Sequence, residues 1–378
     1  MFLALKEMSR SKVRFGLLVA AIALLVFLIL FQQSLQNGLI TGFVGAIRNQ
    51  NAPVLVYSVD GQRVIQGSII TPDLEAEVRA ADGVGDVGRI GQGTFTGTSS
   101  GSDEPSDTTI IGYELGADGQ GLGAPSELVA GRYPTSRGEA VASTGGDPAF
   151  DVGDTVVLRP GGFEVEVVGL ADDVQINVAP TLFTSYETWS EAVRSVNPDA
   201  GEPLPNVMAV APAEGVTADE VVRNINDRSL DLDALTRADA ASETPGVAQV
   251  QQSFRLIFLL YGLVVPCVTG LFFLIVTFQK ANSLTLLRAI GAPAKRLVSS
   301  LLIQVVLMIG AGLVIGTLLY YPVSQSELGG ISLRFETGAV VFWSVLLLTL
   351  GVASSLAAAR RVLRIDPIEA TTGAGVGM

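Results

Sequence analysis

Four apolar runs in this chain are each long enough to cross a lipid bilayer as a helix. That feature limits what the chain can become more than any other. A span takes about 20 residues of helix. The first run, "FGLLVAAIALLVFLILF", puts a helix over 15–32, and the others put helices over 254–278, 297–320 and 338–359. In hydrocarbon every backbone N–H and C=O needs an internal partner, so lone runs of this kind cross as helices. Residues 33–253, between the first two runs, are too polar to join them and form a domain of their own.

Charge sets the orientation, because cytoplasmic flanks collect Lys and Arg. The segment 1–14 carries Lys6, Arg10, Lys12 and Arg14, and reads as an amphipathic helix leading into span one. The loop 279–296 carries Lys280, Arg288, Lys295 and Arg296 with no acid, and the tail 360–378 carries Arg360, Arg361 and Arg364. The loop 321–337 sets only Arg334 against Glu327 and Glu336. Both termini and 279–296 are therefore expected in the cytoplasm, and 33–253 and 321–337 outside. The basic start of span one also suits a secretory signal, but "QQSLQNGLI" offers no small-x-small cleavage site, so an uncleaved anchor is expected. The fold class expected is an α-helical membrane domain of four transmembrane helices plus a mixed α+β extracytoplasmic domain inserted between helices 1 and 2.

The outer domain is acidic. Residues 33–253 hold 32 of the chain's 37 Asp and Glu and none of its lysines, which excludes nucleic acid as a partner. Apolar alternation predicts strands in "PVLVYSV", "TTIIGYEL", "DTVVLRP", "FEVEVVGLA" and "NVMAVAP". Thr71 with Pro72, and Thr217 with Glu220 in a capping box, predict two helix starts. The Gly- and Ser-rich stretch 91–108 predicts a flexible loop. "LQNGLITGFVGAI" sets Leu35, Leu39, Ile40, Phe43, Val44 and Ile47 largely on one face, and "GVAQVQQSF" does the same with Val247, Val250 and Phe254. Both ends of the domain thus read as helical stalks continuing spans one and two.

Several chemistries are excluded or unsupported. The chain has no histidine, the commonest general base and metal ligand. It has no phosphate-binding loop of the G-x-x-x-x-G-K-[ST] kind, so no catalytic role and no cofactor are expected in this chain. The acid pairs Asp172/Asp173 and Asp231/Asp233 read as solvated surface rather than cation sites. Cys267, the single cysteine, lies in an apolar run and reads as a small buried residue. Charges are nearly absent inside the spans, which argues against ion-coupled transport. Gly312 and Gly316 in span three form a G-x-x-x-G helix-packing motif, between subunits or within one.

The loop 279–296 is longer than a hairpin needs. In "SLTLLRAIGAPAKRL", Leu286, Leu287 and Ile290 form an apolar face beside Arg288, and Gly291 and Pro293 can end a short helix. The stretch from Leu284 through "LRAIGA" into the glycines of span three resembles the signature of the MacB/FtsX/LolC-type permeases of ABC transporters. "LALKEMSRSKVRFGLLVAAIAL" resembles that family's N-terminal segment. "AARRVLRIDPIEATTG" resembles its closing tail, with Thr371 where leucine is usual. "FDVGDTVVLRPGGFEVEVVGLADD" resembles a strand segment of its outer domain, and 84–128 is not covered.

The resemblance implies that Leu284, Leu286, Leu287, Arg288, Ala289, Ile290, Gly291 and Ala292 form a coupling helix docking into a separate ABC ATPase subunit. The alternative from the residues alone is an interfacial helix lying on lipid. Two ATPase copies, which bind the ATP and Mg, and a second permease copy or a homologous permease are the implied partners, with membrane lipid. A periplasmic or extracellular adaptor is left open. The implied place is a bacterial inner membrane. The implied function is a permease that transmits ATP-driven motion to its outer domain, for export or extraction of a hydrophobic or peptide-like substrate. The alternative is a non-transporting signal transducer that activates an outer partner such as a cell-wall hydrolase. Nutrient import ranks last for want of a polar route, and haem would need Met, Tyr, Cys or carboxylate ligation.

Overall fold

The computed structural model describes residues 12–100, 102–199, 201–279 and 293–363. It divides into a helical unit (Met1–Leu35, Ser253–Ser326, Leu333–Met378) and a β-rich unit (Gln36–Gln252, Glu327–Ser332). In chain order the elements are α1 (Lys12–Arg48), β1 (Val54–Ser58), α2 (Pro72–Arg79), β2 (Val84–Ser99), β3 (Ser102–Tyr113), β4 (Ala130–Gly131) and β5 (Glu139–Ser143). Then come β6 (Thr155–Arg159), β7 (Phe163–Ala171), β8 (Thr181–Ser185), α3 (Tyr186–Val196), β9 (Val207–Pro212), α4 (Ala218–Arg228), β10 (Leu232–Thr236) and α5 (Arg237–Glu243). Last are α6 (Val247–Gln279), α7 (Ala294–Val323), the hairpin β11 (Glu327–Leu328) and β12 (Ile331–Ser332), and α8 (Thr337–Leu363).

Among the described residues four helices are long and apolar enough to cross a membrane, lying in α1, α6, α7 and α8, and the chain is a multi-pass membrane protein. Within the helical unit, α1 is gripped by α7 and α8. Phe15, Ile22, Val26 and Ile29 pack with Met308, Ile309, Leu313, Trp343 and Leu347. Ser34 clips the end of this packing: its hydroxyl accepts from Arg334 N–H at 2.9 Å and donates to Arg334 C=O at 3.1 Å. Tyr320 also donates to that carbonyl, at 2.9 Å. By contrast α6 leaves Leu256, Leu259, Leu260, Leu263 and Leu271 exposed, as a lipid-facing helix does.

The β-rich unit is two substructures sharing one strand. Strands β10-β1-β9-β2 form an antiparallel sheet. Because α2 links β1 to β2 and α4 links β9 to β10, this is a pair of interleaved split βαβ units, a ferredoxin-like arrangement. Val78 of α2 and Val221 and Ile225 of α4 cover Val54, Val56, Met208 and Val210. Both helices start as the residues dictate. Thr71 Oγ1 accepts from Leu74 N–H, with Pro72 in the first turn, and Thr217 and Glu220 make a full capping box.

The far half of β2 leaves that sheet and closes a ring of pairings, β2-β3-β8-β5-β7-β6 and back to β2. This six-stranded barrel is an insertion between β2 and β9. Its apolar filling includes Ile110, Val156, Leu158, Val165, Val167 and Leu182.

The flexible loop expected over 91–108 is not there: the stretch is most of a long β-hairpin, β2 with β3. Its glycines make room rather than mobility. Gly91 and Gly112 are cross-strand partners. A Cβ on either would fall within 2.4 Å of Trp189, so the pair is a seat for that indole. Between the glycines, Thr94, Phe95, Thr96 and Thr98 supply ordinary strand-forming residues.

Candidate functional site

The residues expected to couple to an ATPase, Leu284, Leu286, Leu287, Arg288, Ala289, Ile290, Gly291 and Ala292, lie outside the described residues, as do 1–11 and 364–378. The packing glycines are described. A Cβ on Gly312 would come within 2.4 Å of Ile22 Cγ2, and one on Gly316 within 2.6 Å of the Ala23 carbonyl oxygen. The G-x-x-x-G face of α7 is therefore filled by α1 of the same chain. Gly310, nearby on α7, has nothing within 4 Å of its Cβ position.

The feature that bears most on function lies where α1 ends, in the β-rich unit. Gly38, Gly42 and Gly45 recur at spacings of four and three, which puts them along one face of α1. The segment 173–178 and the hairpin β11–β12 lie on that face. Cβ atoms would meet Ile331 and Ser332 from Gly38 at 2.7 Å, Val178 from Gly42 at 3.4 Å and the Asp173 carbonyl oxygen from Gly45 at 2.3 Å. The backbone is stitched across the contact. Asn177 and Val178 N–H donate to Phe43 and Gly42 C=O, and Ala46 N–H donates to Gln175 C=O. The Asn49 amide donates to Asp173 C=O at 2.6 Å. Gln175 reaches the hairpin, its amide donating to Gly330 C=O at 3.3 Å.

This clasp holds its own backbone off the common wells. Asp173, Asn177 and Val178 all have positive φ, 58°, 55° and 59°. Asn and Asp tolerate that region, but for a β-branched valine it costs on the order of 1–3 kcal/mol, persisting because the surrounding bonds over-determine it. Opposite, Val44 leaves helical geometry (φ −133°, ψ 15°) and bridges Ile176. So α1 runs helically up to Phe43 and yields at Val44, within the stretch the clasp holds. The amphipathic pattern of Leu35 to Ile47 pointed to a stalk helix; the glycine stripe on the same segment was the missed signal for what covers it.

One carboxylate of each acid pair makes a structural contact. Thr144 Oγ1 donates to Asp172 Oδ1 at 2.5 Å. Asp233 takes Arg63 at 2.7 Å, and Arg63 also pairs with Glu243. Among the described residues no group of three or more Cys, Asp or Glu side chains is placed to hold a metal ion. Cys267, expected buried, is exposed on α6 within the helical unit.

No family model matches the chain. It is 23% identical over 389 residues to the hemin transport system permease protein HrtB named in Staphylococcus haemolyticus, covering 99% of this chain and 99% of that protein. It is 22% identical over 378 residues to the ABC transporter permease Rv0072 of Mycobacterium tuberculosis, again covering 99% of each. Among solved structures, the periplasmic region of MacB from Actinobacillus actinomycetemcomitans matches at 13% identity, over 51% of this chain and 92% of that one, with TM-score 0.37. The extracellular domain of the transporter YknZ from Gram-positive bacteria matches at 15% identity, over 49% and 100%, with TM-score 0.33. The resemblance to ABC-transporter permeases drawn from the sequence is borne out by relatives that run the whole length of the chain.

Proposed function

We propose that this chain, similar from end to end to ABC-transporter permeases, is a permease subunit that works by mechanical transmission. A separate ATPase docks on the helix formed by 283–293. Its ATP-driven closure moves α1 and α6, and the outer domain follows. Two ATPases and two permeases make the working unit, in a bacterial inner membrane with both termini in the cytoplasm. The cargo is a hydrophobic or peptide-like molecule expelled or extracted on the outer side. Spans nearly free of charged residues suit that role, since cargo handled by the outer domain needs no polar route through the helices.

The observation that carries this proposal is the clasp on α1. An unbroken helix up to Phe43 is stiff, and Gly42, Phe43 and Ala46 are bonded to the segment 173–178 of the β-rich domain. Relatives named for hemin transport raise haem as cargo. With no histidine in the chain, its iron would be held by Met, Tyr, Cys or a carboxylate.

The test breaks the stalk and leaves its ends intact. A Gly-Ser-Gly insertion between Gln36 and Asn37 is compared with the same insertion after Gly215, in an exposed turn. Each is made in Cys267→Ala, Leu230→Cys protein carrying a spin label. With the partner ATPase bound, ATP should shift the label-to-label distance in the Gly215 insertion and leave it unchanged in the stalk insertion. An equal shift in both would refute transmission through α1.

A further inference from the structure

From Ile90 onward the long strand β2 pairs with β3 along one edge, and its other edge is shared. There β9 pairs with Val84–Ile90 and β6 with Thr96–Ser99. Between them, on this edge, Gly91–Phe95 has no neighbouring strand among the described residues. Alternation along an antiparallel pair shows which groups face the gap. Gln92 N–H takes the Asn206 side chain, and Ile90 C=O takes Asn206 N–H, so even-numbered residues point to the β9 side. Thr94 faces Thr109, whose N–H is bonded away to Pro180 C=O, as a non-hydrogen-bonded pair requires. The Thr94 N–H and C=O and the Gln92 C=O therefore point into the gap, and among the described residues no strand reaches them.

The neighbours are held back from filling it. Pro160 follows β6 and Pro205 stands just before Asn206 and β9, and proline donates nothing to a ladder. A cleft of about 740 Å³ opens at this place, lined by Gln92 to Thr96, Trp189, Arg159 and Asn206 among others. Its rim carries large apolar side chains left in solvent: Ile69, Val196 and Leu204 are 56%, 43% and 42% exposed. Two of its lining residues also carry buried polar atoms without a hydrogen-bond partner, Gln92 Oε1 and Trp189 Nε1. Native structures keep few such atoms, and each calls for a partner.

We propose that this cleft binds an extended polypeptide segment, which adds as a short strand to β2 between β9 and β6. A segment of three to five residues fits the gap, at about 3.4 Å per residue. Main-chain bonds to Gln92 and Thr94 give the affinity, and the exposed Ile69, Val196 and Leu204 favour apolar side chains on the guest. A sheet edge of this kind is ordinarily blocked or covered; here it is recessed, open and walled by apolar residues. The proposal is independent of ATPase docking, because the cleft lies wholly in the outer domain and binding is read on the permease alone.

The test pans a phage-displayed random heptapeptide library on the full chain in nanodiscs, with empty nanodiscs subtracted. Enriched peptides should carry apolar residues and bind as synthetic copies. Methylating alternate backbone nitrogens in one phase should weaken binding about tenfold or more, and in the other phase should not, because only one edge of the guest faces β2. Thr94→Pro should weaken it similarly and Thr94→Ala should not; the Thr94 N–H points away from β3, so proline spares that ladder. If Thr94→Pro fails to fold, the methylation series on the wild type decides. No enrichment over empty nanodiscs, or binding indifferent to methylation in both phases, would overturn the proposal.

Discussion

The N–H of Val178 donates to the carbonyl of Gly42 at 2.8 Å, joining a strained loop residue to the turn of α1 just before its break at Val44. Val178 sits at φ 59°, and Gly42 is one of the glycines that let the loop lie against the helix. Substitutions along this face should grade with the space beneath them. At Gly45 a Cβ meets backbone at 2.3 Å, and backbone yields little; at Gly42 the nearest atom is a methyl at 3.4 Å. Gly45→Ala should therefore destabilise the β-rich domain by about 1–3 kcal/mol, while Gly42→Ala stays near wild type. Thermal unfolding of the full chain, with hydrogen exchange over 173–178, checks both.

Packing of α7 on α1 makes a second graded forecast. Gly316→Val drives side-chain atoms into the Ala23 carbonyl and Val26, whereas Gly310→Val enters open space. Overpacking of this kind costs about 1–3 kcal/mol. Unfolding in detergent should show the loss for Gly316→Val alone. A larger loss at Gly310 would mean that a second subunit covers that face.

Acid sensitivity of the β-rich domain should trace in part to Glu75. Burial works to raise its pKa, but hydrogen bonds from Arg89 Nε at 3.0 Å and Arg79 Nε at 3.0 Å outweigh burial and lower it. A lowered folded pKa means that the stabilisation is present above the ordinary carboxylate range and is lost as pH falls through the folded value. Glu75→Gln should cost about 1 kcal/mol at pH 7, allowing for the half-exposed arginines. The gap from wild type should narrow below about pH 4. Denaturation at the two pH values reads it directly.

Orientation is tested by labelling. The residue a loop over 91–108 would have offered, Ser99, is buried and its hydroxyl donates to Asp154. Leu230 is 91% exposed and serves instead. In a Cys267→Ala background, Leu230→Cys should react with a membrane-impermeant maleimide on intact cells, after outer-membrane permeabilisation if a second membrane is present. Reaction only after lysis would invert the topology.

What the sequence made legible follows from what is local. Span helices, the two capped helices and strands such as Phe163–Ala171 are written in runs, caps and alternation within a few residues, and the structure has them there. The β2–β3 hairpin was hidden because its glycines answer to Trp189, almost a hundred residues away. The clasp was hidden likewise. Gly38, Gly42 and Gly45 look like ordinary membrane-helix glycines until the segment 173–178 is laid on them. The gap between β9 and β6 exists only as a relation among three strands and has no sequence signal of its own.

The most direct test of the central claim is whether the loop 283–293 holds an ATPase. If 283–293 docks as proposed, an aspartate in place of Leu287 would bury an unpaired charge in a partner groove, costing about 3–5 kcal/mol. A rim pair at Arg288 contributes under about 1 kcal/mol. Co-purification of the partner ATPase should therefore be lost with Leu287→Asp and largely kept with Arg288→Glu, at equal expression and thermal stability. Undiminished co-purification with undiminished ATP hydrolysis in Leu287→Asp would contradict the account.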